Sequence, residues 1–371
     1  MKKEHILVIR FSALGDVAMM VPVVYAVAQR YPHVRFTVLS RPYARTFFDD
    51  LAPNVNFMAA DVKKDYRGVK GLNRLYRRLV AKQFTGVADL HSVLRSDYLR
   101  MRFRLGRYRV EHIKKNRSQR HRLVAPEGKK DLTPLATPFE NYADVFARLG
   151  YPVGDIGFRS IFDAMMPAAL ATAATGPATA PTPARGNLSL LPQAIGQKRS
   201  WEQWIGVAPF AAHEGKIYPV ERTWQAVQLL ATRYPKARFF LFGRGQGEMA
   251  VFDRWVGELP RCLNVARHTG TMYEELIVMS HLDVMVSMDS ANMHLASLTA
   301  TPVVSIWGAT HPLAGFMGWR QHEDDAVQLD LPCRPCSIYG QKRCRRGDYA
   351  CLNGIEPQAI ALKVAAVIGR A

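Results

Sequence analysis

The chain opens on a short β-branched and aliphatic run within His5 to Arg10, with Ile6 to Ile9 consecutively apolar. A continuous run of that length suits a strand buried on both faces of a parallel sheet. The turn Phe11 to Gly15 follows, and Asp16 opens a helical stretch to about Tyr31. Within it, Val17 to Ala28 is apolar but interrupted by Pro22, which predicts a buried helix and falls short of the roughly 20 apolar residues of a membrane span. Val34 to Ser40 reads as the next strand, completing a βαβ unit at the start of the chain. Gly86 to His91 is a further short strand, followed by an Arg-rich helical segment near Val93 to Arg104.

The same alternation resumes later. Ile205 to Pro209 reads as a strand, and Trp224, Val227, Leu230, Ala231 and Tyr234 share one helix face. Ala237 to Phe242 is a strand running into Gly243-Arg244-Gly245-Gln246-Gly247-Glu248. Asp283 to Met288 is another, with a helix from about Asn292, a strand at Val303 to Trp307 and a last helix from Pro357. The class is α/β, with two parallel domains and no internal sequence repeat.

A length of 371 residues agrees with two domains, at roughly 100–200 residues each. Of the 20 residues from Pro167 to Gly186, 18 are Ala, Thr, Pro or Gly, too little apolar surface for a core, so this stretch marks the boundary. The expected organisation is a first domain over 1–165, a linker or insertion over 166–200, a second domain over 201–355 and a terminal helix over 356–371. The formal charge is +19, and residues 63–130 hold 21 Lys or Arg against 5 Asp or Glu. That concentration attracts polyanions: nucleic acid, anionic lipid or a phosphorylated substrate. No secretory leader is evident, because the apolar run after Lys2 and Lys3 ends at Arg10. A cytoplasmic protein, able to lie against a membrane surface, is the expectation.

Doubly wound sheets bind ligands beyond the carboxyl ends of their strands, so the strand ends carry the candidate chemistry. Asp16 follows the first strand and reads as a general base or as a first-turn helix acid. Gly243 to Glu248 lacks the spacing of a dinucleotide fingerprint; Glu248 can take a ribose diol or sit in a helix's first turn. Asp289-Ser290-Ala291-Asn292-Met293-His294 places a polar cluster where a strand gives way to a helix, a seat for a pyrophosphate. Lys216 stands on a loop beyond a strand and before a helix, suited to a phosphate counter-charge. Cys333, Cys336, Cys344 and Cys351 can hold zinc, stay as thiols, or form a disulfide in the purified protein.

Several of these stretches together resemble glycosyltransferase family 9, the lipopolysaccharide heptosyltransferases. They are Ile6 to Val17 with Pro22 beyond, Asp89-Leu90-His91 with Leu94-Arg95-Ser96, Met288 to Ala296 continuing through Thr301-Pro302-Val303-Val304 to Gly308-Ala309-Thr310-His311-Pro312, and the cysteine-rich segment before Ile355. The resemblance implies a GT-B fold, two Rossmann-like domains facing a cleft. It further implies inverting, metal-independent transfer of heptose from an ADP-heptose donor to a lipopolysaccharide core acceptor. In that pattern Asp16 is the base, Lys216 faces the donor's diphosphate, Glu248 holds the ribose, and Asp289, Ser290 and His294 form the donor loop. Ala291 stands where the family usually has Gly; a left-handed backbone there, or a very close approach to phosphate, would disfavour Ala and alter the donor sugar or its fit.

The basic first domain then becomes the acceptor side. Arg95, Arg100, Arg102 and Arg104, with Arg107 beyond, are the candidate contacts to an anionic glycolipid at the inner face of the cytoplasmic membrane. The implied partners are an ADP-sugar and that acceptor, with no nucleic acid and no metal. Two alternatives stand beside this one: a basic nucleic-acid-binding α/β protein, though no RNA-recognition signature is present, and a family member using another nucleotide sugar. A nicotinamide-dependent oxidoreductase is disfavoured by the missing fingerprint.

Overall fold

The computed structural model describes residues 4–165 and 182–370. It divides into two compact units, one of Met1–Lys115 with Thr137–Thr182 and one of Asn116–Ala136 with Pro183–Ala371. The Ala/Thr/Pro segment lies outside the described residues over 166–181.

In the first unit, β1 (His5–Ile9) leads into α1 (Leu14–Arg30), β2 (Arg35–Ser40) and β3 (Val55–Ala59). Next come α2 (Gly68–Val80), β4 (Gly86–Asp89), α3 (Leu94–Leu105) and β5 (Arg109–His112). The strands pair in parallel in the order β3-β2-β1-β4-β5. Ile6, Leu7, Val8 and Ile9 are fully buried, as a central strand covered on both faces requires. Pro22 sits inside an uninterrupted α1, whose apolar residues from Val17 to Ala28 are almost all buried. One face of the sheet packs Leu7, Ile9, Leu39 and Met58 against Leu75, Leu79 and Phe103 of α2 and α3.

The chain then crosses to the second unit for α4 (Arg117–Leu123) before returning for α5 (Pro138–Arg148) and α6 (Ile161–Ala164). Residues 116–136, assigned from sequence to the first domain, therefore pack with the second. Leu135 N–H donates to the Leu313 carbonyl at 2.8 Å, and Lys130 Nζ donates to the Pro335 carbonyl at 2.7 Å. α5 opens on a capping box that the polar loop before it conceals, with Thr137 Oγ1 accepting from Glu140 N–H.

The second unit runs β6 (Trp204–Ala208), α7 (Val220–Arg233), β7 (Arg238–Leu241), α8 (Gln246–Glu258), β8 (Cys262–Asn264) and α9 (Met272–Ser280). It continues with β9 (Val284–Met288), α10 (Ala291–Leu298), β10 (Val303–Ile306), β11 (Ala326–Val327), α11 (Ala350–Asn353) and α12 (Pro357–Ile368). The parallel order is β11-β10-β9-β6-β7-β8. Trp224 and Trp255 stack at 5.0 Å in its core, where α12 contributes Ile360, Val364 and Val367. Among the described residues no helix is long and apolar enough to cross a membrane.

Both strand orders reverse once. In the first unit the reversal falls between β1 and β4, in the second between β6 and β9. Ligands of open α/β sheets settle beyond the carboxyl ends of the strands at such a point. The loops that matter are therefore those after β1, β4, β6 and β9.

Candidate active site

Asp16 lies in the first turn of α1, after β1. Its Oδ2 accepts from Ala13 N–H at 3.1 Å and sits 2.7 Å from Arg10 Nη2. The first-turn reading of this residue is realised, since its carboxylate holds the helix start, and its side chain is 29% exposed. Arg10, missed in the sequence because it closes an apolar run, is buried. Its guanidinium donates to the Leu90 carbonyl and lies over the Tyr142 ring at 5.5 Å. Tyr142 Oη in turn donates to the Asp16 carbonyl at 3.3 Å. The carboxylate is thus fixed by a buried cation that is itself fixed by β4 and α5.

His91, from the loop after β4, completes this side. Phe11 N–H donates to its Nδ1 at 3.5 Å, which leaves the ring proton on Nε2, 3.3 Å from Ser12 Oγ. Burial, then the neighbouring Arg10 and Lys115 charges, push its pKa down to about 3, so the ring is neutral at ordinary pH. Asp89 is fully buried: Oδ1 accepts from the His91 and Ser92 amides at 3.0 Å, and Oδ2 lies 3.2 Å from Arg100.

The four candidate acceptor arginines separate into two kinds. Arg100 is committed to Asp89 and to Asp97, the latter at 2.9 Å, and Arg102 donates to Asn73 while stacking 4.6 Å over Tyr76. Arg95 and Arg104 are exposed, as is Arg107. Only the exposed ones offer charge to a ligand without dismantling an internal bond.

In the second unit, Lys216 follows β6 and Asp289 follows β9, and the fold joins them: Nζ stands 2.9 Å from Oδ2, with side chains 15% and 3% exposed. Gly340 presses on the lysine stem; its backbone is left-handed (φ 78°), and a Cβ there would come within 2.6 Å of Lys216 Cγ. Ser290 is the N-cap residue of α10 without capping it, its Oγ being 3.3 Å from Ser287 Oγ. Its hydroxyl and the first N–H groups of α10 occupy the strand-order reversal. Ala291 is the first residue of α10 and is absent from the left-handed positions, so no backbone strain opposes Ala there. His294 is buried one turn in. Tyr218, an unusual neighbour for the lysine loop, is a core residue whose Oη donates to the Ile355 carbonyl at 2.8 Å.

Glu248 lies after β7, in the first turn of α8. Its Oε2 accepts from the Arg244 and Gly245 amides at 2.9 Å each, which spends one oxygen on holding the turn. Arg244 pairs with Glu275, a buried acid whose pKa burial raises.

The cysteine-rich segment braces the loop after β10. Cys336 and Ser337 N–H both donate to the Ala309 carbonyl, at 3.0 and 3.1 Å, and the buried Arg334 donates to the Thr310 carbonyl at 2.9 Å. All five cysteines are thiols. Burial raises the Cys336 pKa and pushes that of Cys351 up to about 11. Among the described residues no group of three or more His, Cys, Asp or Glu is arranged to hold a metal ion.

Comparison with known proteins accords with this geometry. The family model described as Glycosyltransferase family 9 (heptosyltransferase) matches residues 168–345, which span the loops after β6 and β9 and most of the cysteine segment. Over that stretch the chain is similar to glycosyltransferase family 9. Solved structures resemble this chain along its whole length. The ADP-heptose lipopolysaccharide heptosyltransferase II of E. coli is 18% identical, with 99% of each chain covered and a TM-score of 0.65. A family 9 glycosyltransferase from Veillonella parvula is 16% identical, covering 100% of this chain and 99% of its own, at 0.69. The E. coli heptosyltransferase WaaC, solved with ADP, is 16% identical over 98% and 99%, at 0.62. These likenesses establish the fold class, GT-B, and no curated protein sequence matches significantly. The protein is a glycosyltransferase.

Proposed function

We propose that this enzyme moves a heptose from an ADP-activated donor to an anionic glycolipid of the lipopolysaccharide core type. The transfer is inverting and metal-independent in this reading. The observation that carries it is the Lys216–Asp289 pair beside the start of α10, at the reversal between β6 and β9. As the sugar–phosphate bond breaks, negative charge grows on the leaving diphosphate. Lys216 and the α10 amides are placed to stabilise it, and such stabilisation is commonly the largest single contribution to a rate. Asp289 orients the ammonium and can accept from a sugar hydroxyl. Asp16 takes the proton from the acceptor hydroxyl as that oxygen attacks the anomeric carbon. The neutral His91 beside it adds no competing charge.

Glu248 keeps one oxygen for the ribose. Arg95, Arg104 and Arg107 meet the acceptor's phosphates, and the enzyme works in the cytoplasm against the inner membrane face, without nucleic acid. The two solved relatives named as heptosyltransferases, one of them solved with ADP, support the donor class. Thermal denaturation with a nucleotide panel tests the reading. ADP and ADP-heptose should stabilise the protein, by about 2.7 kcal/mol at a hundredfold excess over Kd, and UDP and NAD should not. Stabilisation by UDP alone would point to the other nucleotide-sugar class; no response to any nucleotide would remove the donor assignment.

A further inference from the structure

A second basic site lies in the first unit, away from Asp16. A cavity of about 380 Å³, within the usual range of small-ligand sites, opens on the sheet near the amino ends of β1 and β2. His5 and Arg35 are partners across that pair of strands. Arg45 reaches it from the 3-10 turn Pro42–Phe47, Arg78 from the last turn of α2, and Lys82 from just beyond that helix. None of the ten residues lining it is Asp or Glu.

The charges here are less closely matched than those beside Asp16 and Asp89. Arg10 and Arg100 are each matched to a carboxylate within 3.2 Å. Around the cavity, Arg78 donates to Tyr66 Oη at 2.8 Å, and Arg45 meets Asp49 in an exposed pair at 3.2 Å, a kind that contributes little. Arg35 and Lys82 have no ion-pair partner among the described residues. Thr37 Oγ1, on the lining, lies 2.8 Å from His5 Nε2, a fixed polar wall beneath the cations. Four cations converge on one concavity with no acidic side chain in its lining, and the one carboxylate paired to them, Asp49, lies in an exposed pair outside it. Arg forks and Lys points match the oxygens of a phosphoryl group.

We infer that this cavity binds a phosphoryl group, carried either by a soluble phosphate ester or by a lipid headgroup, at a site separate from the donor's diphosphate. Asp16 follows the carboxyl end of β1, whereas His5 begins it, and five residues of strand at about 3.3 Å each stand between them. A ligand here therefore docks the enzyme or senses a phosphorylated compound and takes no part in the transfer. The inference goes beyond the proposed activity and does not depend on it.

The test is calorimetric titration of inorganic pyrophosphate into the full-length protein saturated with ADP. The wild type should bind, and Arg35→Glu with Lys82→Glu should bind at least tenfold more weakly, with ADP affinity unchanged. Arg35→Gln with Lys82→Gln substitutes if the charge reversal unfolds the chain. Should ADP fail to bind, the same comparison without it still applies, so loss of the donor assignment leaves this test intact. Absence of pyrophosphate binding, or equal binding by variant and wild type, overturns the inference. A second arm assigns the source once pyrophosphate binding is lost in the variant. A parallel loss of sedimentation with phosphatidylglycerol vesicles, against phosphatidylcholine controls, assigns a lipid headgroup. Unchanged sedimentation assigns a soluble ester.

Discussion

Replacing Lys216 by Met removes the ammonium from a carboxylate that is 3% exposed. Breaking a buried ion pair from one side typically costs about 3–5 kcal/mol, because the remaining charge is left unmatched in a poorly solvated place. The lysine's own 15% exposure admits some water, so the lower end, about 3 kcal/mol, is the expectation. Changing Asp289 to Asn as well removes the stranded charge. The double variant should recover most of the loss, giving a coupling of about 2 kcal/mol between the two positions. Urea unfolding followed by tryptophan fluorescence measures this cleanly, because all six tryptophans lie in the second unit. ADP affinity should behave differently. It should fall by roughly tenfold or more in Lys216→Met and in the double variant alike, since both lack the charged donor. Additive destabilisation by the two substitutions, or an unchanged midpoint for Lys216→Met, would show that the pair is not buried as described.

Other predictions are more local. His91 is neutral in the fold with a pKa of about 3 against an ordinary 6.5, so the unfolded chain takes up its proton first. Its contribution is intact above about pH 6.5 and is lost as the pH falls toward 3; urea midpoints from pH 7 to 4 should decline less steeply in His91→Asn. Gly206→Ala would bring a Cβ to 2.6 Å from Leu282 Cδ1 and 2.8 Å from Met285 Sδ, overpacking a central strand at about 1–3 kcal/mol by the same assay. Cys262, 4% exposed with its pKa pushed up to about 12, should resist iodoacetamide at pH 8 until the chain unfolds, as mass spectrometry would record. Changing Arg95, Arg104 and Arg107 to Ser should weaken acceptor use and spare ADP binding. Arg100 is left out of that set because its loss would strand the buried Asp89.

The elements that sequence patterning anticipated are those with buried, continuous apolar runs: β1, β2, β6, β7, β9 and β10 fall within a residue or two of expectation. Those it passed over lack that signal. β5 reads Arg-Val-Glu-His, a partly exposed edge strand, and β8 is three residues long. The crossing of residues 116–136 into the second unit was illegible for another reason. Charge marks that stretch as part of the basic region, while its attachment rests on backbone carbonyls of Leu313 and Pro335. Asp16, Lys216 and Asp289 were readable because a strand-then-helix pattern puts each at a carboxyl end. Arg10 was not, since nothing about an arginine closing a strand announces a guanidinium turned inward to a carboxylate.

The central claim is that Asp16 removes the acceptor's proton while the second unit holds the donor. Asn in its place keeps the side chain's shape and its acceptor oxygen for Ala13 N–H but abolishes basicity. Turnover of ADP-heptose with a lipopolysaccharide core acceptor, followed as ADP release by wild type and Asp16→Asn, is the most direct measurement. The account predicts a fall in kcat of about 10²–10⁴ with the ADP Kd unchanged. Near wild-type turnover by the variant would contradict it.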